Sequence, residues 1–166
     1  MPQLKAPFVV LACGNPSRGD DALGPLLLAR LSPWLQEAGL DGHFELIEDF
    51  QFQIEHALDL QGRQAALFID AGEGTAPPFF LQRVLAERRQ APTSHALSPG
   101  AVVAVLERID DAVPPDVQML CVRGERFELG EGLSAAASRH LEPAWQALQA
   151  WCRACIAGDI GAAGRQ

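Results

Sequence analysis

Apolar runs and amphipathic stretches alternate along most of the chain. The apolar run Phe8–Cys13 stops at Gly14-Asn15-Pro16, and a continuous apolar run that ends in such residues is typical of a buried strand leading into a turn. Leucines recur at helical spacing soon afterwards, at Leu23, Leu26, Leu27 and Leu31. The start of the chain therefore predicts a strand, a loop and a helix.

The same alternation continues to the C-terminal region. Further strands are predicted over residues 44–48, 65–69 and 116–122, an edge strand or hairpin arm over 79–85, and helices over 53–60, from Ser98-Pro99 to Ile109, and from Ser134 onward. Pro33 and Pro143 are expected to kink or restart the helices that contain them. Strands that alternate with helices in this way predict an α/β fold, namely a three-layer α/β/α sandwich with a largely parallel central sheet.

Length and charge limit the possible number of domains and the possible partners. A chain of 166 residues with 48% hydrophobic content predicts a single domain over residues 1–166, with a flexible Gly- and Ala-rich tail over 159–166. The 13 basic and 21 acidic residues give a net charge of −8, which argues against nucleic acid and anionic membranes as partners. No stretch resembles a signal peptide or a membrane span, so a cytoplasmic protein is expected.

The four cysteines are predicted to be inert thiols, buried at Cys13 and Cys121 and either packed or at the surface at Cys152 and Cys155. Cys13 and Cys121 lie at the ends of apolar strand-like runs, where a free buried thiol is common. Cys152 and Cys155 form a C-x-x-C pattern, but it lies within a helical pattern, without a second ligand pair nearby. Inert thiols are therefore favoured over a metal or redox site.

The first loop carries two adjacent acids, Asp20 and Asp21, at the start of the first helix. Carboxylates at a helix N-terminus compete with a phosphate, and neither glycine-rich nucleotide-binding motif is present, so nucleotide binding is not expected. One of the two acids can cap the helix, which leaves the other for a metal cation or for acid–base chemistry.

Two further polar residues follow predicted elements of the same sheet. Asp70 ends the apolar run that starts at Ala65, and His95 lies on a loop before the helix at Ser98. The carboxyl ends of parallel strands meet at one edge, so Asp20 or Asp21, Asp70 and His95 are expected to converge on a site suited to nickel or zinc. Each residue also has a structural explanation: Asp21 as a helix cap, Asp70 as a turn former and His95 as a surface residue. The remaining histidines are interpreted as structural, namely His43, His56 and His140.

Four segments resemble the successive motifs of the NiFe-hydrogenase maturation proteases, and the match covers nearly the whole chain. The segments are residues 14–24, 68–71, 94–99 and 127–134. The chain departs from the family pattern at Ala12, where a glycine is common, and at Ala22-Leu23, which replaces a pair that often contains glycine. Neither departure falls on a predicted ligand.

The resemblance implies a phosphorylase/hydrolase-like fold and an endopeptidase that trims the C-terminal extension of a hydrogenase large-subunit precursor after nickel insertion. By motif position, Asp21, Asp70 and His95 contact the metal and carry the catalytic role, and Gly14 and Asn15 shape the loop. The nickel is expected to arrive with the precursor, so no tightly bound cofactor is expected. Two other hypotheses stay open: a non-catalytic binding module that checks nickel in the precursor, and a metallohydrolase that acts on small peptides.

Overall fold

The computed structural model of the protein describes residues 4–87 and 97–161. Its strands are β1 (Phe8–Cys13), β2 (Phe44–Asp49), β3 (Ala65–Gly72), β4 (Phe79–Arg83) and β5 (Asp116–Arg123). Its α-helices are α1 (Leu23–Glu37), α2 (His56–Leu60), α3 (Pro99–Ile109) and α4 (Ala135–Ala157), and two short 3-10 turns cover Gly19–Ala22 and Asp41–His43.

The five strands form one sheet in the order β2-β1-β3-β5-β4. The pairs β1–β2, β1–β3 and β3–β5 are parallel, and β4 runs antiparallel to β5 at one edge. The largely parallel sheet of the predicted α/β sandwich is therefore confirmed. Because four strands are parallel, their carboxyl ends meet along one rim of the sheet, which we call the carboxyl rim.

Each face of the sheet packs against a pair of helices. Helices α1 and α4 cover one face, where alternate residues of β1 and β3 join a core that includes Leu27, Leu148 and Trp151. Helices α2 and α3 cover the other face, around Phe68 and Val102. Both faces of β1 are thus buried, which explains why Phe8–Cys13 is apolar throughout instead of alternating. Within residues 4–87 and 97–161, no helix is long and apolar enough to span a bilayer.

Helix boundaries follow local capping chemistry. The hydroxyl groups of Ser98 and Ser134 accept hydrogen bonds from backbone N–H groups three residues later and so begin α3 and α4 as predicted. Helix α4 ends at Gly158, whose φ of 83° is the left-handed conformation that closes many helices.

Two local predictions are corrected by the structure. Helices α1 and α4 run through Pro33 and Pro143, so the predicted restarts are wrong. Pro33 and Ala29 are both exposed, so the carbonyl group that loses its helical partner lies on the solvent side of α1. The third strand does not stop at Asp70 either, because β3 continues to pair with β5 as far as Gly72.

All four cysteines are free and buried, as the packing interpretation predicted. Cys152 and Cys155 lie in the core beneath α4, and burial raises the pKa of both thiols well above the ordinary value, to about 12 for Cys152. Thiols with raised pKa values are poor nucleophiles and poor metal ligands.

Candidate functional site at the carboxyl rim

Asp21 lies in the 3-10 turn that joins the first loop to α1. It does not cap the helix, because neither this turn nor α1 has a side-chain cap. Instead, its Oδ2 atom accepts a hydrogen bond of 2.6 Å from the backbone N–H of Asn15. The carboxylate is therefore turned back across the loop toward the end of β1, and the capping explanation for Asp21 is wrong.

Asn15 and Gly14 bring the loop close to this carboxylate. The Asn15 side-chain oxygen accepts a hydrogen bond from Ser17 N–H at 2.9 Å. The backbone carbonyl of Asn15 accepts one from Arg18 N–H, which closes the turn. Gly14 has a φ of +147°, and a Cβ atom there would lie 2.0 Å from the carbonyl oxygen of Asp21. The loop backbone therefore packs directly against the residue that carries the carboxylate.

Asp70 lies near the end of β3 and is largely buried. Its Oδ1 atom accepts a hydrogen bond from Ala71 N–H at 2.8 Å, and the Cys13 thiol also favours the charged carboxylate. Burial raises the pKa of Asp70 to about 6, and the charge of Asp21 acts in the same direction, while the Ala71 hydrogen bond and the Cys13 thiol oppose it. Asp70 is thus a carboxylate whose pKa is closer to neutrality than usual.

In the structure Asp21 and Asp70 lie close enough for the charge of Asp21 to raise the pKa of Asp70. Asp49, at the end of β2, is a third carboxylate at this site. The charges of Asp70, Asp21 and Asp49 all raise the pKa of the buried Cys13 thiol, in addition to the larger effect of its burial. The thiol therefore stays protonated and can donate to Asp70. Three carboxylates around the end of one central strand make the carboxyl rim locally anionic, which favours a cation.

Asp49 was not predicted as a site residue, and His56, which was interpreted as structural, contacts it. His56 is buried, and its Nδ1 atom accepts a hydrogen bond from Gln53 N–H at 2.9 Å. The proton of the neutral ring is therefore assigned to Nε2, which lies 3.3 Å from Asp49 Oδ2. The sequence signal was available, because Asp49 directly follows the second predicted strand just as Asp70 directly follows the third.

Of the three predicted metal-contacting residues, the structure describes two. His95 lies outside the described residues, as do Thr93 and Ser94 beside it. Over residues 4–87 and 97–161, no three His, Cys, Asp or Glu side chains are grouped so as to hold a metal ion. Asp21 and Asp70 are hard oxygen donors that suit a divalent cation with additional ligands from elsewhere.

Solved structures of other proteins share this architecture. The hydrogenase maturating endopeptidase HybD from E. coli matches with a TM-score of 0.67 over 88% of this chain and 91% of its own, at 21% sequence identity. The NiFe hydrogenase maturation protease HycI from Thermococcus kodakarensis matches with a TM-score of 0.64 over 86% and 90%, at 20% identity. The chain has the hydrogenase maturation protease fold.

This fold confirms, at the level of architecture, the resemblance that the sequence motifs indicated. A hydrogenase 2 maturation peptidase from a Thaumarchaeota archaeon also shares it, with a TM-score of 0.57 over 85% of this chain and 94% of its own, at 17% identity. No protein-family model matches the chain, and no curated protein does. The hydrogenase maturation protease fold thus places Asp21 and Asp70 at the carboxyl rim, where open α/β sheets bind their ligands.

Proposed function

We propose that this protein is an endopeptidase that removes the C-terminal extension of a NiFe-hydrogenase large-subunit precursor after nickel insertion. The observation that carries the proposal is the pairing of Asp21 and Asp70 at the carboxyl rim, in a fold shared with hydrogenase maturation proteases. We propose that the nickel arrives with the precursor, as the resemblance implies, and it is therefore treated as part of the substrate.

In this proposal Asp21, Asp70 and His95 contact the nickel that the precursor carries. Two carboxylates and an imidazole are a mixed oxygen and nitrogen donor set that suits a borderline divalent cation. The precursor supplies the remaining ligands, so a precursor without nickel offers these side chains nothing to bind. Cleavage would then report that the metal has been inserted.

Peptide cleavage requires a water molecule to attack the scissile carbonyl and a proton to reach the leaving amine. Asp70 suits the proton transfers through the carboxylate oxygen that the nickel leaves free, and in the protein without precursor its pKa of about 6 leaves it mostly ionised at neutral pH. Asp70 takes the proton as the C–O bond forms, and it returns that proton to the nitrogen as the C–N bond breaks. The bound nickel can polarise the carbonyl or the water.

The partner and compartment follow the same proposal. A net charge of −8 disfavours nucleic acid and anionic membranes and is compatible with a protein client that presents a cation. All four cysteines are free, which fits a reducing compartment such as the cytoplasm. We therefore place the reaction there, with the large-subunit precursor as partner.

The proposal is tested by incubating the protein with nickel-loaded and nickel-free precursor and measuring precursor mass. We expect a shortened product only from the loaded precursor. Asp21→Asn, Asp70→Asn and His95→Ala are each expected to lower the rate at least about 100-fold. Asp41→Asn and His43→Ala are matched controls, because both residues are exposed in the 3-10 turn before β2, at the amino ends of the strands and away from the carboxyl rim.

The alternatives give different results in the same assay. A stable complex with nickel-loaded precursor, without any change in mass, would indicate the non-catalytic nickel-checking module. Tightly bound metal in the purified protein, together with hydrolysis of small peptides, would indicate the independent metallohydrolase. Full cleavage activity in all three site variants would show that the proposed site does not carry out the cleavage.

A further inference from the structure

Asp20, the neighbour of Asp21, is completely buried and forms no ion pair with any described residue. An isolated buried carboxylate costs several kcal/mol unless hydrogen bonds compensate for its lost hydration. Four donors do so here. Ser134 N–H donates to Oδ1, while Glu125 N–H, Arg126 N–H and the Ser134 hydroxyl donate to Oδ2, at 2.7–3.0 Å.

All four donors come from one segment, residues 124–134, which joins β5 to α4 and which we call the β5–α4 loop. Backbone hydrogen bonds join the same two loops in both directions. Asp20 N–H donates to Arg126 O, Gly19 N–H donates to Glu131 O, and Gly130 N–H donates to Ser17 O. The loop that carries Asp21 is therefore attached to the β5–α4 loop throughout its second half.

The two loops also touch backbone to backbone. A Cβ atom at Gly19, whose φ is +55°, would lie 2.5 Å from the carbonyl oxygen of Arg126. A Cβ atom at Gly124 would lie 2.6 Å from the Phe127 ring and 3.1 Å from Cβ of Asp20. This contact leaves no room for the turn to shift toward the β5–α4 loop without steric conflict.

We propose that Asp20 is a positioning residue, which holds the Gly19–Ala22 turn on the β5–α4 loop so that the Asp21 carboxylate faces the carboxyl rim. The effect of Asp20 on cleavage rests on the proposed function, whereas its effect on the position of the Asp21 carboxylate does not. On one side of Asp21 the chain is held by the donors to Asp20, and on the other side it enters α1. With both sides held, the side chain of Asp21 reaches the N–H of Asn15.

The backbone amide of Asn15 is the natural reporter of this arrangement, because it donates the 2.6 Å hydrogen bond to Asp21. Short hydrogen bonds to a carboxylate are strong and shift the amide proton downfield in NMR spectra. In Asp20→Asn, an N–H₂ group replaces one carboxylate oxygen that accepts hydrogen bonds from the β5–α4 loop. A donor then faces other donors, so the turn is expected to move. We expect the Asn15 amide resonance to move upfield and its hydrogen exchange to accelerate about tenfold or more.

A second pair of variants tests the same point when Asp20→Asn does not fold. Ser134→Ala removes the hydroxyl donor to Asp20 together with the cap of α4, while Ser98→Ala removes the equivalent cap of α3. We expect only Ser134→Ala to move the Asn15 amide, although both variants lower the unfolding temperature. Gly132→Ala, in open space on the β5–α4 loop, should leave the resonance unchanged.

The outcomes separate a positioning role from a purely structural one. If Asp20 only stabilises the fold, Asp20→Asn and Ser134→Ala will unfold at lower temperature while the Asn15 amide of the folded protein keeps its position, which overturns the proposal. With cleavable precursor, we expect Asp20→Asn to lower kcat about 100-fold and to change KM much less. Failure of the wild-type protein to cleave would contradict the proposed function and leave the NMR test intact.

Discussion

The buried thiol of Cys13 and the carboxylate of Asp70 interact across the ends of the neighbouring strands β1 and β3, and the thiol favours the charged form of the carboxylate. The two residues lie one position beyond the last paired residues of these strands, Ala12 and Ile69. Burial raises the pKa of both groups, and the thiol, which stays protonated, partly opposes this effect on Asp70.

Asp70→Asn is expected to stabilise the protein near pH 7.5. The folded-state pKa of Asp70, about 6, lies above the ordinary value of 3.8, so the folded state loses stability as pH rises from about 4 to about 6. The neutral amide avoids this loss, which amounts to about 2–3 kcal/mol near pH 7.5 and about 1 kcal/mol at about pH 4.5. Urea unfolding at the two pH values measures the difference. The exposed Asp41→Asn serves as control, and an Asp70→Asn variant less stable than wild type near pH 7.5 would contradict the prediction.

Cys13→Ala is expected to raise the pKa of Asp70 further above 6, because the thiol that favours the charged carboxylate is lost. The acid limb of the cleavage rate against pH should then move to higher pH. A ¹³C NMR titration of the Asp70 carboxyl group measures the shift directly. Cys152→Ala also removes a buried thiol, but on α4 away from the rim, so it should leave the titration unchanged.

Gly24→Ala is expected to destabilise the protein, although alanine is the better helix former. In an exposed helix this substitution stabilises by about 1 kcal/mol. Here the added Cβ would lie 2.6 Å from the carbonyl oxygen of Cys13, so α1 must move away from β1. We expect a net loss of about 2 kcal/mol or more in urea unfolding. Gly42→Ala, which meets open space, is the control, and equal stabilities of the two variants would refute the close contact.

His56→Phe is expected to lower the free energy of unfolding by about 1–3 kcal/mol, even though phenylalanine keeps the edge contact with Phe52. The loss follows because Gln53 N–H loses its acceptor and Asp49 loses its contact with Nε2. Thermal or urea unfolding measures it. His43→Phe, at an exposed position, is expected to change stability by no more than about 0.5 kcal/mol. A stability equal to wild type for His56→Phe would show that these contacts contribute nothing.

Much of the fold was predictable because its signals are local. The apolar run Phe8–Cys13 and the Ser98-Pro99 cap act over a few residues, so β1 and the start of α3 were found from the sequence. The common rim of parallel strands led to the expectation that Asp20 or Asp21 would lie near Asp70. The restarts at Pro33 and Pro143 were wrong because a helix tolerates a proline where its surroundings accommodate the lost hydrogen bond.

The sequence by itself determined the order of strands and helices, the parallel sheet that they imply, and the presence of paired acids at the end of β1. Only the tertiary structure decided what each acid does. Asp20 and Asp21 are chemically identical neighbours. Asp20, however, is buried and accepts hydrogen bonds from donors 105–114 positions away in the sequence, while Asp21 turns back and accepts one from Asn15. The physical reason is that a carboxylate's role depends on which hydrogen-bond donors surround it, and distant segments supply those donors only when the chain folds.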